Sequence, residues 1–342
     1  MNFLIVPQKL IKVLLVSLFL VGCAAPRLTP TPPPTFPPPG PTFPPPPVPS
    51  LLPPPFAPPT DTVQPGGQAG TCSTGEYSPL GVLRSTDHGA TWVSLGNACL
   101  QVPGILSVDP TALVFNGSIV LYFLDMATLT NDESITTPRI IYRTTTLDGV
   151  NFDKPQSAFT QNHNMVDPFV LSMPDGSFRL YVASDPEGII SAVSTDSLVF
   201  TLENGVRSAA GAMPGALLLP DNRVRLFLAG GNEGQNGILS QISNDGLNFT
   251  TEPGVRILSQ ANTITDNPQP IRLADGSYLM LFQILEIKYA GDPLKSEIHI
   301  ATSADGLNWT ANPTVIAHGG TTCVVQAADG TLYIYFGTEF PH

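Results

Sequence analysis

The 342-residue sequence predicts an all-β fold, a five-bladed β-propeller in which strands from the two ends of the chain share one blade. Three observations lead to this prediction: a turn motif that occurs five times, a hairpin signal that occurs five times, and the order of the two along the chain, which begins with a turn motif and ends with a hairpin. A repeat of roughly 50 residues is typical of propeller blades, each of which is one small sheet.

The turn motif consists of a Ser or Thr, any residue, an Asp, and an aromatic residue shortly afterwards. Short Ser, Thr and Asp side chains hydrogen-bond turn backbone, and an aromatic ring can pack between neighbouring sheets. We therefore predict a structural role for these five motifs, which we call box turns. They are Ser85–Asp87 with Trp92, Thr146–Asp148 with Phe152, Ser194–Asp196 with Phe200, Ser243–Asp245 with Phe249, and Ser303–Asp305 with Trp309.

The hairpin signals are pairs of β-rich runs joined by a two-residue turn. Asp-Gly and Asn-Gly between such runs are strong hairpin signals. The turns are Asn116-Gly117, Asp175-Gly176, Asp221-Asn222, Asp275-Gly276 and Asp329-Gly330.

The order of the box turns and hairpins along the chain indicates how the ring closes. The first box turn, at Ser85, has no hairpin before it, and the last hairpin, beginning at Thr321, has no box turn after it. Together they make one complete blade, which closes the ring and leaves no long sheet edge exposed. Each blade should then run inner strand, second strand, third strand, box turn and outer strand.

Residues 1–23 read as a lipoprotein signal peptide. Lys9 and Lys12 precede an apolar run, Leu14–Leu20, and Gly22 stands directly before Cys23. A small residue before Cys is typical of the bacterial lipobox, so we expect a lipid on Cys23, with an ordinary secretory signal as the alternative. The chain is then exported and lipid-anchored to the bacterial cell envelope, facing outward.

Residues 24–70 are dominated by Pro and predict a disordered linker. Such a segment buries too little apolar surface to fold and favours an extended polyproline conformation. A spacer is the expected role, and a proline-rich ligand for a partner domain is the alternative. The propeller should occupy residues 71–342.

Composition excludes several function classes. The net charge of −12 and the lack of a basic cluster argue against nucleic acid, and no apolar stretch after residue 23 is long enough to span a bilayer. Phosphate-loop, zinc, hydrolase-elbow and dinucleotide motifs are absent, so we expect no cofactor and no metal. We expect a monomer whose membrane contact is the N-terminal lipid.

Three cysteines remain after Cys23. Export permits disulfides, and Cys72 and Cys99 bracket the first strand pair, which favours a bond between them. A Cys99–Cys323 bond is the alternative. None of the cysteines shows zinc-ligand spacing.

Candidate chemistry lies where the five inner strands begin, because these starts crowd one rim of the central channel. Crowded carboxylates raise one another's pKa, which suits general acid–base work on glycosidic bonds. Asp266 and His163 stand close to this set in sequence and are candidate ligand contacts together with Asn267. The strand starts form what we call the hub column: Asp109, Asp167, Met213, Asn267 and Thr321.

A structural role is the alternative for Asp109 and Asp167. The residue before Pro prefers extended geometry, so Asp-Pro is a common way to begin a strand, and the Asp side chain can then cap a loop.

These features resemble the five-bladed glycoside hydrolases, namely the arabinanase/xylosidase and invertase/levansucrase families, and the box turns resemble Asp-boxes, or BNR repeats. The resemblance covers residues 71–342 and rests on the blade number, the box turns and the Asp-Pro pairs at 109 and 167. It implies that Asp109 is the base or nucleophile and that Asp167 tunes pKa or holds the sugar. It also implies a third-blade Glu as the acid, where this chain has Met213.

Three functions follow for the folded domain. The first is carbohydrate recognition by the propeller rim without the full acid set. The second is an active glycoside hydrolase, arabinofuranosidase/xylosidase-like or sialidase-like, with Asp109 and Asp167 in the site and an acid for which Glu203, Glu233 and Glu286 are candidates. The third is a protein-binding surface scaffold. Sialidases also carry Asp-boxes, but they need six blades and an arginine triad that this sequence does not offer.

Overall fold

The fold is seen in a computed structural model that describes residues 80–100, 107–125, 138–162, 164–185, 187–232, 235–287 and 295–338. These residues form 22 β-strands in five antiparallel sheets, and they contain no helix. Among them, accordingly, no helix could cross a membrane. The prediction of an all-β, five-bladed β-propeller is confirmed.

The first two blades each have four strands, with the strand nearest the channel first in the chain. The first blade contains β3 (Ser107–Phe115), β4 (Ser118–Asp125), β5 (Arg139–Thr146) and β6 (Gln156–Gln161). The second blade contains β7 (Asn164–Ser172), β8 (Phe178–Asp185), β9 (Gly188–Ser194) and β10 (Thr201–Leu202).

The third and fourth blades each have a fifth, short strand. The third contains β11 (Ala212–Leu218), β12 (Val224–Asn232), β13 (Gln235–Ser243), β14 (Thr250–Thr251) and β15 (Ile257–Leu258). The fourth contains β16 (Thr263–Arg272), β17 (Tyr278–Glu286), β18 (Ser296–Ser303), β19 (Thr310–Ala311) and β20 (Ala317–His318).

The extra strand differs from the single outer strand that the sequence predicted. In both blades the outer edge is split into two two-residue strands that pair with the same third strand. Pro253 and Pro313 lie between these short strands, and Pro has no N–H with which to continue a ladder.

The fifth blade is built from both ends of the described chain. It contains β21 (Gly320–Gln326) and β22 (Leu332–Gly337) from the end of the chain, and β1 (Leu80–Ser85) and β2 (Val93–Asn97) from its beginning. β22 pairs with β1 from Leu80–Gly337 to Ser85–Leu332, so the predicted closure of the ring is confirmed.

The hydrophobic core lies between the blades. Each of five clusters of buried side chains joins two neighbouring sheets, and the inner strands pack side by side around the channel. Fully burying one large apolar side chain stabilises a fold by about 1.5–3 kcal/mol, so every blade depends on both of its neighbours.

The box turns attach each blade to the next. In the fourth blade the Asp305 carboxylate accepts from the N–H groups of Leu307 and Asn308, both at 2.8 Å, and from the Ser303 hydroxyl at 3.0 Å. The aromatic residue of the turn then packs on a neighbouring blade, as Trp309 does on Phe227 with ring centroids 5.8 Å apart. These contacts are structural, as predicted, while the likeness to Asp-boxes stays a resemblance.

Of the two predicted cysteine pairings, the structure tests only the one that involves Cys323. Cys99 is disulfide-bonded, whereas Cys323 is a buried free thiol, so the alternative Cys99–Cys323 bond is wrong. Cys323 instead packs in the cluster between the fifth and first blades. Cys72 and Cys23 lie outside the described residues, and the Cys72–Cys99 bond stays a prediction.

Candidate functional site

The five hub-column residues share one unusual backbone conformation. Each sits where the inner strand shifts register against the second strand, which is the mark of a β-bulge. Bulges re-aim a side chain, and non-glycine residues with a left-handed φ cost energy and concentrate at functional sites. The φ angles are 50° for Asp109, 55° for Asp167, 52° for Met213, 50° for Asn267 and 41° for Thr321.

This shared geometry makes the five positions equivalent around the hub. Met213 therefore occupies the same place in the third blade as Asp109 and Asp167 do in the first two. Because Met213 and Thr321 carry the same strain without a carboxyl group, the conformation belongs to the fold of every blade and does not by itself mark chemistry.

Neighbouring column residues contact one another. The Asp109 carboxylate accepts from the backbone N–H of Asp167, at 3.3 Å. With its amide oxygen turned toward the fifth blade, Asn267 accepts from the N–H groups of Thr321 and Thr322, both at 3.2 Å. The side chain of one blade thus caps the strained backbone of the next.

Three carboxyl groups come together here in poorly solvated surroundings. Burial raises the pKa of Asp109 to about 6, although the hydrogen bond from Asp167 opposes the shift. Burial, followed by repulsion from Asp109 and Asp266, raises the pKa of Asp167 well above its usual value. Burial raises the pKa of Asp266 to about 8. Near neutral pH, Asp109 is therefore mainly ionised, while Asp266 keeps its proton.

The three acids differ in accessibility. Asp109 and Asp167 are partly exposed, whereas Asp266 is only 4% exposed. A ligand at the rim therefore meets the Asp109–Asp167 pair, and Asp266 influences that pair from within the protein.

Further polar atoms line the buried part of the hub. One oxygen each of Asp266, Gln269 and Thr322 is buried and has no hydrogen-bond partner among the described residues. Gln269 and Thr322 could not be predicted as hub residues, because nothing in their sequence neighbourhood distinguishes them from other strand residues.

Two of the candidate proton donors, Glu203 and Glu286, lie in different parts of their blades. Glu203 is held by Arg179, with Nε–Oε2 at 2.9 Å, and by the Ser191 hydroxyl at 2.7 Å. That ion pair lies at the outer side of the second blade, so Glu203 as the acid is wrong. Glu286 ends β17 opposite Thr263, at the rim side of the fourth blade. Glu233 and His163 lie outside the described residues.

Within the described ranges, no group of three or more His, Cys, Asp or Glu side chains is placed to hold a metal ion. A cavity of about 460 Å³ lies at the opposite end of the channel, between inner-strand residues such as Leu113, Leu217 and Val325. It contains none of the hub-column residues.

No family model and no curated protein matches the chain. Among solved structures, the fold is similar to that of an endo-arabinase from Bacteroides thetaiotaomicron, with TM-score 0.52 and 19% identity over 68% of this chain and 90% of that one. A family 32 β-fructofuranosidase from Bombyx mori has TM-score 0.52 and 16% identity over 69% of this chain and 56% of that one. An endo-1,4-β-xylanase from Bacteroides thetaiotaomicron has TM-score 0.50 and 16% identity over 68% of this chain and 84% of that one.

These structural neighbours are glycoside hydrolases, and the fold of this chain is that of their five-bladed propellers. The expected resemblance is confirmed at the level of the fold. The roles of Asp109, Asp167, Asp266 and Asn267 stay predictions.

Proposed function

We propose that the rim of the propeller recognises carbohydrate and that the domain is a glycosidase-like scaffold without the usual third acid. The observation that carries this proposal is Met213, which shares the bulge and the left-handed φ of Asp109 and Asp167 but has no ionisable group. The glycoside hydrolases of similar fold support carbohydrate as the ligand class.

The protonation states of the hub suit a polyhydroxylated ligand. A sugar hydroxyl both donates and accepts hydrogen bonds, so its recognition needs acceptors and donors side by side. The ionised carboxylate of Asp109 is an acceptor, and the raised pKa of Asp167 favours a protonated carboxyl that donates. The partly exposed pair therefore offers both kinds of group at the rim.

The absence of a third-blade acid limits catalysis in this proposal. A positioned general acid contributes roughly 10²–10⁴ to the rate by protonating the leaving group. Without it, the domain binds a glycosidic bond more readily than it cleaves one.

The test combines glycan retention with a turnover assay on the same protein. We expect the full chain to bind arabinan, xylan or fructan oligosaccharides and to release no aglycone from aryl arabinosides or xylosides. Asp109→Asn should weaken binding, whereas Asp275→Asn, in the hairpin turn at the other end of the fourth blade, should not.

Other outcomes of the same test would refute binding as the function. Turnover by the wild-type chain that Asp109→Asn removes would show an active hydrolase. Failure to retain any oligosaccharide would refute carbohydrate as the ligand and favour a protein-binding scaffold.

A second candidate function is hydrolysis, and Asp266 is the observation that favours it. A carboxyl group with a pKa of about 8 carries a proton at neutral pH, and its charge raises the pKa of Asp167 only once it ionises. In this second function Asp266 would be the source of the proton that a leaving group takes up. In that case turnover should fall both in Asp266→Asn and as the pH rises above about 8.

Met213→Glu tests the scaffold directly. The substitution places a carboxyl group in the bulge where the resemblance implies the acid. We expect it to create or raise turnover of aryl arabinosides or xylosides, while Met213→Gln, its uncharged match, should not. Equal inactivity of both variants, with sugar binding intact, would show that the rim differs from a hydrolase site in more than this residue.

We also propose that a lipid on Cys23 anchors the propeller to the outer face of the bacterial envelope. The motif before Cys23 and the Pro-rich segment that follows support this proposal. Labelled palmitate should be incorporated into the wild-type chain but not into Cys23→Ser, and the variant should leave the membrane fraction. Membrane retention of the variant would contradict the anchor.

A further inference from the structure

A second cavity lies at the outer edge of the first blade, away from the hub. It measures about 340 Å³ and is bounded by residues of β5, of β6 and of the turn between them. Its lining residues are Arg143, Thr144, Thr145, Asp153, Lys154 and Gln156.

The next two blades fill the corresponding place with a buried carboxylate. In each of them a Glu at the outer edge binds an Arg of the second strand and a Ser of the third strand, and each ion pair is largely buried. Arg179 and Ser191 hold Glu203 at 2.9 and 2.7 Å, and Arg225 and Ser240 hold Glu252 at 2.7 Å each.

The first blade keeps a cation there but lacks the carboxylate. Tyr122 and Tyr181 occupy equivalent positions on the second strands of the first two blades. The residue paired with Tyr181 is Ser191, and the residue paired with Tyr122 is Arg143. Arg143 therefore takes the place that Ser191 has in the second blade. Cross-strand partners present their side chains on the same face of a sheet, and the partner of Arg143 on β6 is Gln156. In the second blade the backbone N–H of Glu203 donates to the carbonyl of Ser191, so Glu203 is the corresponding partner there. The first blade therefore has the amide side chain of Gln156 where the second blade has the carboxylate of Glu203.

Among the described residues, no carboxylate lies within ion-pair distance of Arg143. Its Nη2 donates to the Ser197 hydroxyl at 3.3 Å, and its Nε is buried with no partner among the described residues. A buried donor without a partner carries its full desolvation cost, and a guanidinium is shaped to bind a carboxylate through two parallel hydrogen bonds.

The other charged groups that line the cavity also allow a carboxylate to bind beside Arg143. Lys154 adds a second positive charge at the exposed side. Asp153 is the carboxylate in the lining, and its Oδ2 accepts from the Thr145 hydroxyl at 2.5 Å. Positive charge therefore exceeds negative charge here, in a chain whose net charge is −12.

We propose that this cavity binds the carboxylate of an acidic sugar such as a hexuronate. The guanidinium of Arg143 takes the carboxylate, and Lys154 adds long-range attraction. Threonine hydroxyls and the Gln156 amide supply the neutral donors and acceptors that ring hydroxyls need. The volume lies near the lower end of small-ligand pockets, which run from roughly 300 Å³ upward. The proposal does not rest on the function of the hub.

Calorimetric titration of the full chain with galacturonate tests the proposal, with galactose as the neutral match and acetate as the bare carboxylate. We expect binding of galacturonate, and weaker or no binding of the other two. Arg143→Gln should weaken galacturonate binding roughly ten- to a hundredfold, the range expected for loss of a charge-assisted hydrogen bond.

Two further variants keep the test decisive. Gln156→Glu gives the first blade the carboxylate that its neighbours have, so it should pair with Arg143, raise the thermal midpoint and abolish galacturonate binding. Arg223→Gln removes an exposed arginine paired with Asp221 and should change nothing. Because Gln156 is exposed, its substitution tests the site even if Arg143→Gln does not fold.

Four results would overturn the proposal. They are no galacturonate binding by the wild-type chain, equal binding by Arg143→Gln, equal binding by Gln156→Glu, and acetate or galactose binding as tight as that of galacturonate. The last result would refute the acidic sugar as the ligand class.

Discussion

At the scale of single residues, the hub combines a strained left-handed backbone with largely buried carboxyl groups whose negative charges are not neutralised by nearby cations among the described residues. Asp109, Asp167 and Asp266 are carboxyl groups that cannot all ionise together at low cost, because burial and mutual repulsion both disfavour their charges. Such groups lower the stability of the native state as they ionise, so their titration should be visible in unfolding experiments.

Asp266 should make the protein less stable as the pH rises. Burial raises its pKa from 3.8 to about 8, so the native state keeps a proton that the unfolded chain has already lost. The contribution to stability is complete below pH 3.8 and is lost as the pH rises through about 8. Urea midpoints measured from about pH 4 to pH 9 should therefore fall, and they should fall less steeply in Asp266→Asn.

Asp175→Asn is the control for this titration. Asp175 is an exposed turn residue whose pKa is lowered by hydrogen bonds from Ser177, so removing its charge leaves the slope above pH 4 unchanged. An unchanged slope in Asp266→Asn would show that Asp266 does not hold its proton in the native state.

The sequence revealed part of this site. The hub column could be read from the hairpins alone, because aligned repeats place equivalent residues at equivalent points of a ring. The left-handed backbone and the burial of Asp266 could not be read, because both depend on the packing of neighbouring inner strands. The outer position of Glu203 could not be read for the same reason, since its partner Arg179 lies on another strand.

At the scale of the structural element, each box turn is held by the blade before it. The Tyr181 hydroxyl donates to the carbonyl of Gly246 at 2.8 Å, and its ring packs on Phe249 with centroids 6.0 Å apart. The third blade has Phe227 at the place of Tyr181, packed in the same way on Trp309. The aromatic contact with the box turn is therefore common to the second and third blades, whereas of these two ring residues only Tyr181 of the second also donates a hydrogen bond to a box-turn carbonyl.

Tyr181→Phe should separate these two contributions. The variant keeps the ring and loses the donor to a buried carbonyl, so we expect the free energy of unfolding to fall by about 1 kcal/mol. Tyr278→Phe is the matched control, because the Tyr278 hydroxyl makes no hydrogen bond within the described residues. Equal losses in the two variants, measured by urea denaturation, would mean that the bond to Gly246 contributes nothing.

Local sequence signals predicted hairpins better than outer strands. Gly176, Gly276 and Gly330 take the left-handed φ that these turns require, and few other residues do so at low cost, so Asp-Gly marks the hairpins in the sequence. The outer strands are as short as two residues, and Pro253 and Pro313 split two of them, so little local pattern remains to predict their pairing.

At the scale of the whole molecule, the ring has no independent blade. Each blade buries one face against each neighbour, so an incomplete blade exposes two hydrophobic clusters at once. In the fifth blade β22 pairs with both β21 and β1, and thereby joins the two ends of the chain. The phase of the repeats predicted this closure because neither end holds a complete blade.

The closure can be tested by cutting the ring in two different places. Ending the chain after Gln326 removes β22 and leaves β1 and β21 without their shared partner, so we expect loss of cooperative unfolding and aggregation. In a permuted chain that runs from Gly276 to His342 and then from Ala24 to Asp275, the hairpin turn of the fourth blade is opened. The fourth blade then closes the ring with strands from both ends, as the fifth blade does in the natural chain.

Because every blade of the permuted chain is complete, it should unfold in one transition with a midpoint within a few degrees of the natural chain. Leu80 and Gly337 are paired neighbours, so residues 24–79 only need to connect two adjacent points. Loss of cooperative unfolding in the permuted chain, with the shortened chain still folded, would mean that the covalent order of the blades holds the propeller together. Failure of the shortened chain alone would show that the completeness of the fifth blade does so.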